Sequence, residues 1–208
     1  MLAFFFATLG AIFSVVNPLG ALPIFLALTS DYTPKNRNAT ALQTAFWVAM
    51  IMVVFFLAGT YILNFFGISI NALRIAGGLI IMNSGYGLLN GTFQERRVNA
   101  DIEEEASNKN DISFTPMAMP MLSGPGSISL LIGMAAEYAD YSDRLIIIGA
   151  VLAMAVIIWA ILRYSTILFR ILGVAGLKAL SRIMGFLVMS IGIEILIRGV
   201  VSFVKTQL

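Results

Sequence analysis

The chain has 208 residues, of which 59% are hydrophobic and 12% charged, and its formal net charge is +2. Its mean hydropathy of +0.92 is typical of membrane proteins, whereas soluble domains carry about 25% charged residues. The absence of Cys and His excludes thiolate catalysis, Cys/His zinc sites, haem ligation by His and a Ser-His-Asp triad. The small net charge gives no reason to expect a nucleic-acid partner.

Six apolar segments follow one another along the chain. They cover residues 2–28, 41–66, 70–90, 114–136, 145–169 and 178–204. Each is continuous for roughly 20 residues, which favours transmembrane helices over a barrel of alternating strands. The first segment lacks a basic n-region and a small-residue cleavage site, so we interpret it as a retained span and not a signal peptide. The predicted fold class is an all-α integral membrane protein.

Two of the six segments are interrupted in their interior. The first contains Asn-Pro-Leu-Gly-Ala-Leu-Pro at 17–23, and the fourth contains Gly-Pro-Gly-Ser at 124–127. Proline and glycine inside a span break the helix, and Asn17 followed by Pro18 predicts the cap and first residue of a new half-helix. Proline also kinks ordinary spans for packing reasons, so a purely structural role is the alternative.

A half-helix that begins inside the membrane exposes free N–H groups and the positive end of its dipole. Such a terminus binds a carboxylate or phosphate without any charged side chain. We therefore predict a substrate site at the two breaks, where glycines would allow close approach to the backbone and side chains would donate hydrogen bonds. Its candidate residues are Asn17, Gly20, Ser123, Gly124, Gly126 and Ser127, with Ser129 as a further hydroxyl.

A polar stretch at 92–113 separates the third and fourth segments. It contains Gln-Glu-Arg-Arg at 94–97 and three consecutive Glu at 103–105. This composition predicts a solvated, charged linker between two halves, 1–91 and 114–208, which together form one membrane domain.

The two halves align with each other at a shift of 107 residues. The shift pairs Pro18 with Pro125, Arg37 with Arg144, Gly78 with Gly185 and Gly85 with Gly192. We predict a duplicated three-span unit, whose copies must have opposite orientations because three is odd. Secondary transporters of this kind bind substrate at the repeat interface. Chance matching between two apolar sequences is the alternative.

Basic residues are unevenly divided between the two ends of the predicted spans. One side holds Lys35, Arg37, Arg96, Arg97, Lys109, Arg163, Arg170, Lys178 and Arg182, and the other holds Arg74, Arg144, Arg198 and Lys205. Because the cytoplasmic side carries the excess, both termini are predicted outside the cytoplasm and the linker inside. A re-entrant hairpin at either break would change this assignment.

The third span of each half carries polar residues at equivalent depth. Asn83, beside Ser84, aligns with Ser190, and glycines recur every seven residues on the same helices. Small residues at this spacing line close helix contacts, across which Ser or Asn form hydrogen bonds. Asn83 and Ser190 are therefore candidates either for the substrate site or for helix packing.

Glu194 is an acidic residue well inside a predicted span. A carboxylate in hydrocarbon is costly, so we expect a reason for its presence. Arg198 follows four residues later, where an ion pair on one helix face forms readily. We predict such a pair, with Glu194 as the alternative coupling residue. Arg74 and Arg182 lie near span ends and are expected to extend to the interface.

Two stretches carry a recognisable family pattern. They are Asn-Pro-Leu-Gly-Ala-Leu-Pro-Ile-Phe at 17–25, followed by Leu28-Thr29, and Thr-Pro-Met-Ala-Met-Pro-Met-Leu-Ser-Gly-Pro-Gly-Ser-Ile at 115–128. Over both halves the chain resembles the MarC family of prokaryotic inner-membrane proteins. The resemblance implies a transporter of small neutral amino acids, glycine and alanine among them, like the SnatA-like members. It fixes neither the direction of transport nor the coupling ion.

We accordingly expect a secondary transporter without a cofactor, whose partners are a small neutral amino acid, the lipid bilayer, and a proton or sodium ion. The substrate ammonium would need carbonyl oxygens, such as those near Val15, Val16 and Leu122. No P-loop motif indicates primary pumping. An exporter of other small solutes, a channel and a non-transporting scaffold are the alternatives, and an intramembrane enzyme is the least supported.

Overall fold

The structure is a computed structural model that describes residues 1–91 and 111–207, and every regular element in these ranges is helical. The helices are α1 (Leu2–Val16), α2 (Pro18–Leu28), α3 (Pro34–Phe65), α4 (Ile70–Asn90), α5 (Ser113–Leu122), α6 (Pro125–Glu137), α7 (Tyr141–Arg163) and α8 (Ser165–Gln207). The predicted all-α class is confirmed. The predicted linker at 92–113 lies almost wholly outside the described residues.

Within the described ranges, four helices are individually long and apolar enough to cross a membrane: α3, α4, α7 and α8. Two bent pairs, α1 with α2 and α5 with α6, meet the same criterion together and raise the number to six. The bends are 42° and 65°. A helix pairs its own backbone N–H and C=O groups, so it is stable in lipid, which offers these groups no hydrogen-bond partners.

Both predicted interruptions are confirmed at the predicted residues. Asn17 ends α1 in the left-handed conformation, with φ 48° and ψ 63°, and also caps α2, which begins at Pro18. Asparagine tolerates this backbone region better than most residues, which explains its place at the junction. Gly124 occupies the N-cap position of α6, which begins at Pro125, but its backbone is extended (φ −76°, ψ 176°) and no side chain caps this helix. α5, which precedes it, is a wide, irregular helix with extended backbone at Thr115 and Met119.

The predicted ends of the later segments were less accurate. The fifth segment was predicted to continue to 169 and the sixth to begin at 178, but α7 ends at Arg163 and α8 begins at Ser165. α8 also contains a break of its own at Gly173, where φ is 61° and ψ is −179°. The chain is apolar on both sides of the real boundary, so hydropathy does not reveal where one helix stops.

α4 and α8 pack closely through the glycines that recur every seven residues. A Cβ built on Gly78 would lie 2.8 Å from the carbonyl oxygen of Gly192, and one built on Gly85 would lie 2.8 Å from that of Gly185. Residue numbers rise along one helix as they fall along the other, so the two helices are antiparallel. The predicted close helix contact is confirmed.

Other contacts between elements also occur in corresponding pairs. α1 packs on α7 as α5 packs on α3, and α2 packs on α8 as α6 packs on α4. Arg37 Nη2 donates a hydrogen bond to the carbonyl of Thr29, the C-cap of α2, at 2.7 Å. Arg144 Nε donates to the carbonyl of Tyr138, the C-cap of α6, at 3.3 Å. A cation at a helix C-terminus stabilises the exposed carbonyls there. Each half therefore fixes the end of its half-helix with an arginine at an equivalent position.

The orientation of this bundle in the membrane stays a prediction from the basic residues. Because the chain contains no Cys, a single cysteine at Ser107 would report the side of the linker. We expect an impermeant thiol reagent to label this variant in inverted vesicles and not in intact cells. Labelling from outside intact cells would reverse the assigned orientation.

Candidate functional site

The two helix breaks meet around one small internal cavity. The cavity measures about 40 Å³ and lies between the ends of α1 and α5, the starts of α2 and α6, and the faces of α4 and α8. The lining residues that belong to the breaks are Val15, Val16, Asn17, Met121, Leu122, Gly124, Pro125, Gly126 and Ser127. Roughly 10–15 Å³ holds one water molecule, so the space admits a few waters or a group of carboxylate size. We call it the central cavity.

The α2 side of the central cavity is organised by Asn17. Its Oδ1 accepts a hydrogen bond from the Gly20 N–H at 3.2 Å, and its side chain is only 5% exposed. Among the described residues, no group bonds its Nδ2. A buried donor without a partner is costly, so this amide is ready to donate to a bound acceptor.

Gly20 has a different role from the predicted one. Sequence reasoning placed it where a ligand would approach the backbone, but a Cβ there would lie 2.5 Å from Asn17 Nδ2. The space beside Gly20 is therefore filled by the side chain that caps α2. The glycine makes room for the cap, and Gly20 does not line the cavity.

The α6 side of the central cavity has no such cap. Gly124 has no side chain, so the first-turn N–H groups of Gly126 and Ser127 lack both a helical acceptor and a side-chain acceptor within the described part of the chain. Ser127 Oγ lies 3.1 Å from the carbonyl oxygen of Gly124 and 3.3 Å from that of Leu122. Ser123 is fully buried, and the described residues offer its Oγ no partner, but this predicted site residue does not line the central cavity. The N–H groups of Gly126 and Ser127 are therefore the donors that the start of α6 offers to an anion.

The predicted residues of the third spans are not brought together. Asn83 is exposed on the outer surface of α4, away from the central cavity. Ser190 is also absent from that cavity; its Oγ donates to the carbonyl of Phe186 at 2.9 Å and it lines a separate groove. Ser84, the neighbour of Asn83, is the α4 hydroxyl that lines the cavity. A helix turns about 100° per residue, so adjacent polar residues point to different surroundings and sequence alone did not choose between them.

The groove that contains Ser190 is larger than the central cavity and is lined by charged side chains. It measures about 400 Å³ and lies between α1, α4, α6 and α8. Its charged residues are Arg74, Glu137, Glu194 and Arg198. The predicted ion pair is confirmed, since Arg198 Nε lies 2.8 Å from Glu194 Oε1. We call this groove the vestibule.

Glu137 is the residue of the vestibule that sequence reasoning missed. It accepts from Arg74 Nη2 at 3.1 Å and from Arg198 Nη1 at 3.3 Å, and so joins α6 to both α4 and α8. Arg74, which is expected to extend to the interface, forms an ion pair with Glu137. The available signal was an acidic residue one position beyond the predicted end of the fourth segment. Such a position is usually occupied by a residue that faces water, so it gave no reason to expect a bridge.

A family model for MarC family integral membrane proteins matches residues 2–204 of the chain. The chain belongs to the MarC family. It is 35% identical to the inner membrane protein MarC of Salmonella typhimurium over 205 residues, which covers 92% of this chain and 91% of that one. It is also 34% identical to a membrane protein of Methanocaldococcus jannaschii over 200 residues, with 96% and 97% of the two chains covered. No solved structure matches the chain significantly.

Membership of the MarC family agrees with the apolar, membrane-spanning helices and indicates which membrane contains the protein. The helices cross the bilayer several times, and relatives such as the Salmonella protein are inner membrane proteins by name. This MarC-family chain is therefore a multi-pass inner membrane protein. The names of these relatives state a location and a family, and none states a substrate.

Proposed function

We propose that the chain is a secondary transporter of small neutral amino acids such as glycine and alanine. The observation that carries the proposal is that the N-terminus of α6 meets Asn17, the cap of α2, at the central cavity, and that Asn17 Nδ2 has no partner among the described residues. Helix N-termini inside a membrane bind the carboxylates of substrates in several transporter folds. The residues named here bind and position substrate, and the proposal requires neither enzymatic chemistry nor a cofactor.

In this proposal the carboxylate binds at the start of α6. Gly126, Ser127 and Asn17 line the same small space, and their donors are the free N–H groups of the first two and the side-chain amide of the third. α2 already uses one N–H on its own cap, which makes α6 the stronger anion site. The substrate ammonium would be held by carbonyl oxygens near Val15 and Leu122, which line the cavity. The cavity offers no space for a long side chain, which favours glycine and alanine over larger amino acids.

An inverted repeat would explain how such a site opens alternately to the two sides of the membrane. Gly78 contacts Gly192 and Gly85 contacts Gly185 in an antiparallel arrangement, as a two-fold axis would produce. The shift of 107 residues relates Gly78 to Gly185 and Gly85 to Gly192, so it converts the first contact into the second. The corresponding helix contacts and the arginines at both half-helix ends support the same symmetry. We propose two three-span units of opposite orientation that move relative to each other. The central cavity is smaller than an amino acid, so substrate binding would require this movement.

Counterflow in proteoliposomes tests the proposal directly. Vesicles containing the purified protein are loaded with unlabelled alanine and diluted into labelled alanine. A carrier transiently accumulates label inside, whereas a channel equilibrates it without overshoot and a non-transporting scaffold gives no flux. Repeating the assay with an imposed proton or sodium gradient identifies the coupling ion. Absence of overshoot for both glycine and alanine would refute a carrier for these substrates.

Competition between amino acids tests the size of the site. We expect unlabelled glycine and alanine to inhibit alanine uptake, and tryptophan and lysine to have little effect at the same concentration. The expectation follows from the small volume and the glycine-containing walls of the central cavity. Equal inhibition by tryptophan would contradict the size argument.

A further inference from the structure

We propose that the vestibule is a second binding site, selective for zwitterions, that takes up the amino acid before it reaches the central cavity. The proposal rests on the proposed transport of amino acids. It assigns a role to Arg74, Glu137, Glu194 and Arg198, the four charged side chains that line this groove of about 400 Å³.

The vestibule and the central cavity lie along the same half-helix. Ser127 lines the cavity, and Ser129, two residues later on α6, lines the vestibule. Ser129 Oγ donates to the carbonyl of Leu73 at 3.2 Å, where α6 crosses α4. Glu137 stands at the far end of α6, a helix of 13 residues and about 20 Å. The vestibule thus extends from the end of α6 to within about one helical turn of the proposed carboxylate site.

The exposure of its charged groups indicates that the vestibule contains water. The side chains of Glu194 and Arg198 are 62% and 57% exposed, and Glu194 lies within the apolar part of α8. Half-exposed charges do not face hydrocarbon, because ionic groups in lipid turn toward protein or toward a water-filled space. The groove between α1, α4, α6 and α8 is that space.

The pattern of charge selects a ligand that carries both signs. Two arginines and two glutamates give the cluster no net formal charge, and they form a chain from Arg74 through Glu137 and Arg198 to Glu194. A zwitterion can enter this chain with its carboxylate on an arginine and its ammonium on a glutamate, and the cluster stays neutral. An ion with a single charge leaves an unbalanced charge in a partly desolvated groove. Ser190 adds a hydroxyl to the same wall.

Cysteine labelling in this Cys-free chain measures occupancy of the vestibule without relying on transport. We expect Ser190→Cys to react with a water-soluble thiol reagent and to be protected by glycine or alanine. At a concentration ten times the dissociation constant, protection should slow labelling about tenfold. Asn83→Cys is the matched control, because Asn83 is the repeat equivalent of Ser190 but lies on the outer surface of α4. Its labelling should be slow in lipid and insensitive to amino acids.

Charge selectivity is tested with ligands that carry only one of the two charges of an amino acid. Propionate and ethylamine should not protect Ser190→Cys at concentrations at which alanine does. In the Glu194→Gln background the cluster gains a net positive charge, so propionate should begin to protect while alanine protects less. A loss of folding cannot produce this gain. Protection by propionate equal to that by alanine in the parent would overturn zwitterion selectivity.

Repeating the labelling of Ser190→Cys in the Asn17→Asp background distinguishes binding in the vestibule from binding in the central cavity. Alanine should still protect Ser190→Cys in that background even though transport is lost, because Asn17 does not line the vestibule. Active transport without protection of Ser190→Cys would overturn the vestibule site alone. Protection without counterflow would leave the vestibule site standing and refute the transporter. Failure of labelling at Ser190→Cys, with or without transport, would show that the groove is covered and overturn the proposal.

Discussion

Asn17→Asp is expected to remove most binding of glycine and alanine while the protein still inserts and folds. Aspartate tolerates the left-handed backbone of residue 17 and caps a helix about as well as asparagine, so both structural roles are kept. It replaces the free Nδ2 donor with a negative oxygen. Two carboxylates about 4 Å apart repel by on the order of 4 kcal/mol at an effective dielectric constant of about 20, which corresponds to roughly a thousandfold weaker binding.

Two further substitutions at Asn17 separate the cap from the substrate contact. Asn17→Gly keeps the left-handed backbone and costs only a few tenths of a kcal/mol as a cap, whereas Asn17→Ala costs about 0.5–2 kcal/mol. Both remove the amide without adding charge, so binding per folded molecule should fall less than in Asn17→Asp. Binding is measured by calorimetry and folding by thermal unfolding in detergent. Unchanged or tighter binding in Asn17→Asp would refute carboxylate binding at this break and leave it as a structural kink.

The breaks were predictable because they depend on local chemistry. Asn17 before Pro18 is a cap and first residue in any helical context, and Gly124 before Pro125 repeats the arrangement at the corresponding position. What the sequence could not give was which donors remain free. That depends on whether a side chain bends back onto its own helix, as Asn17 does onto Gly20, and Gly124 has none.

The vestibule was not predictable for a different reason. Arg74, Glu137 and Arg198 come from three helices, and each occurs near the end of an apolar segment, where a charge is ordinarily solvated. Only the crossing of α6 with α4 and α8 brings the two arginines within 3.1 Å and 3.3 Å of the Glu137 carboxylate. The pair of Glu194 with Arg198 was predictable because it is formed within one helix at a spacing of four residues.

The glycine contact between α4 and α8 leads to the second large expected effect. A Cβ at Gly85 would lie 2.5 Å from the Met189 nitrogen and 2.8 Å from the Gly185 carbonyl oxygen. These are backbone atoms, so relief requires the helices to separate and cannot come from a side-chain rotation. We expect Gly85→Ala to destabilise the protein by about 1–3 kcal/mol, as overpacking does in other cores. Thermal unfolding in detergent measures the change.

Gly10→Ala is the matched control for this substitution. Gly10 is also helical, but in the described residues no heavy atom beyond its own helix lies within 4 Å of the Cβ position. Alanine there should stabilise the helix by about 0.5–1 kcal/mol, because glycine loses more conformational freedom on folding. The two variants therefore shift the unfolding temperature in opposite directions. Equal shifts would mean that α4 and α8 are not held in close contact.

Gly192→Ala extends the experiment to the proposed symmetry. Gly192 is the repeat equivalent of Gly85, and a Cβ there would lie 2.5 Å from the Met82 nitrogen and 2.9 Å from the Gly78 carbonyl oxygen. Because the obstructing atoms correspond one to one, a two-fold relation predicts destabilisation of the same size at both positions. The double variant should cost less than the sum of the single ones, since helices that one Cβ has separated accommodate the second more easily. A large loss at Gly85 with none at Gly192 would contradict the inverted repeat while leaving the close contact in place.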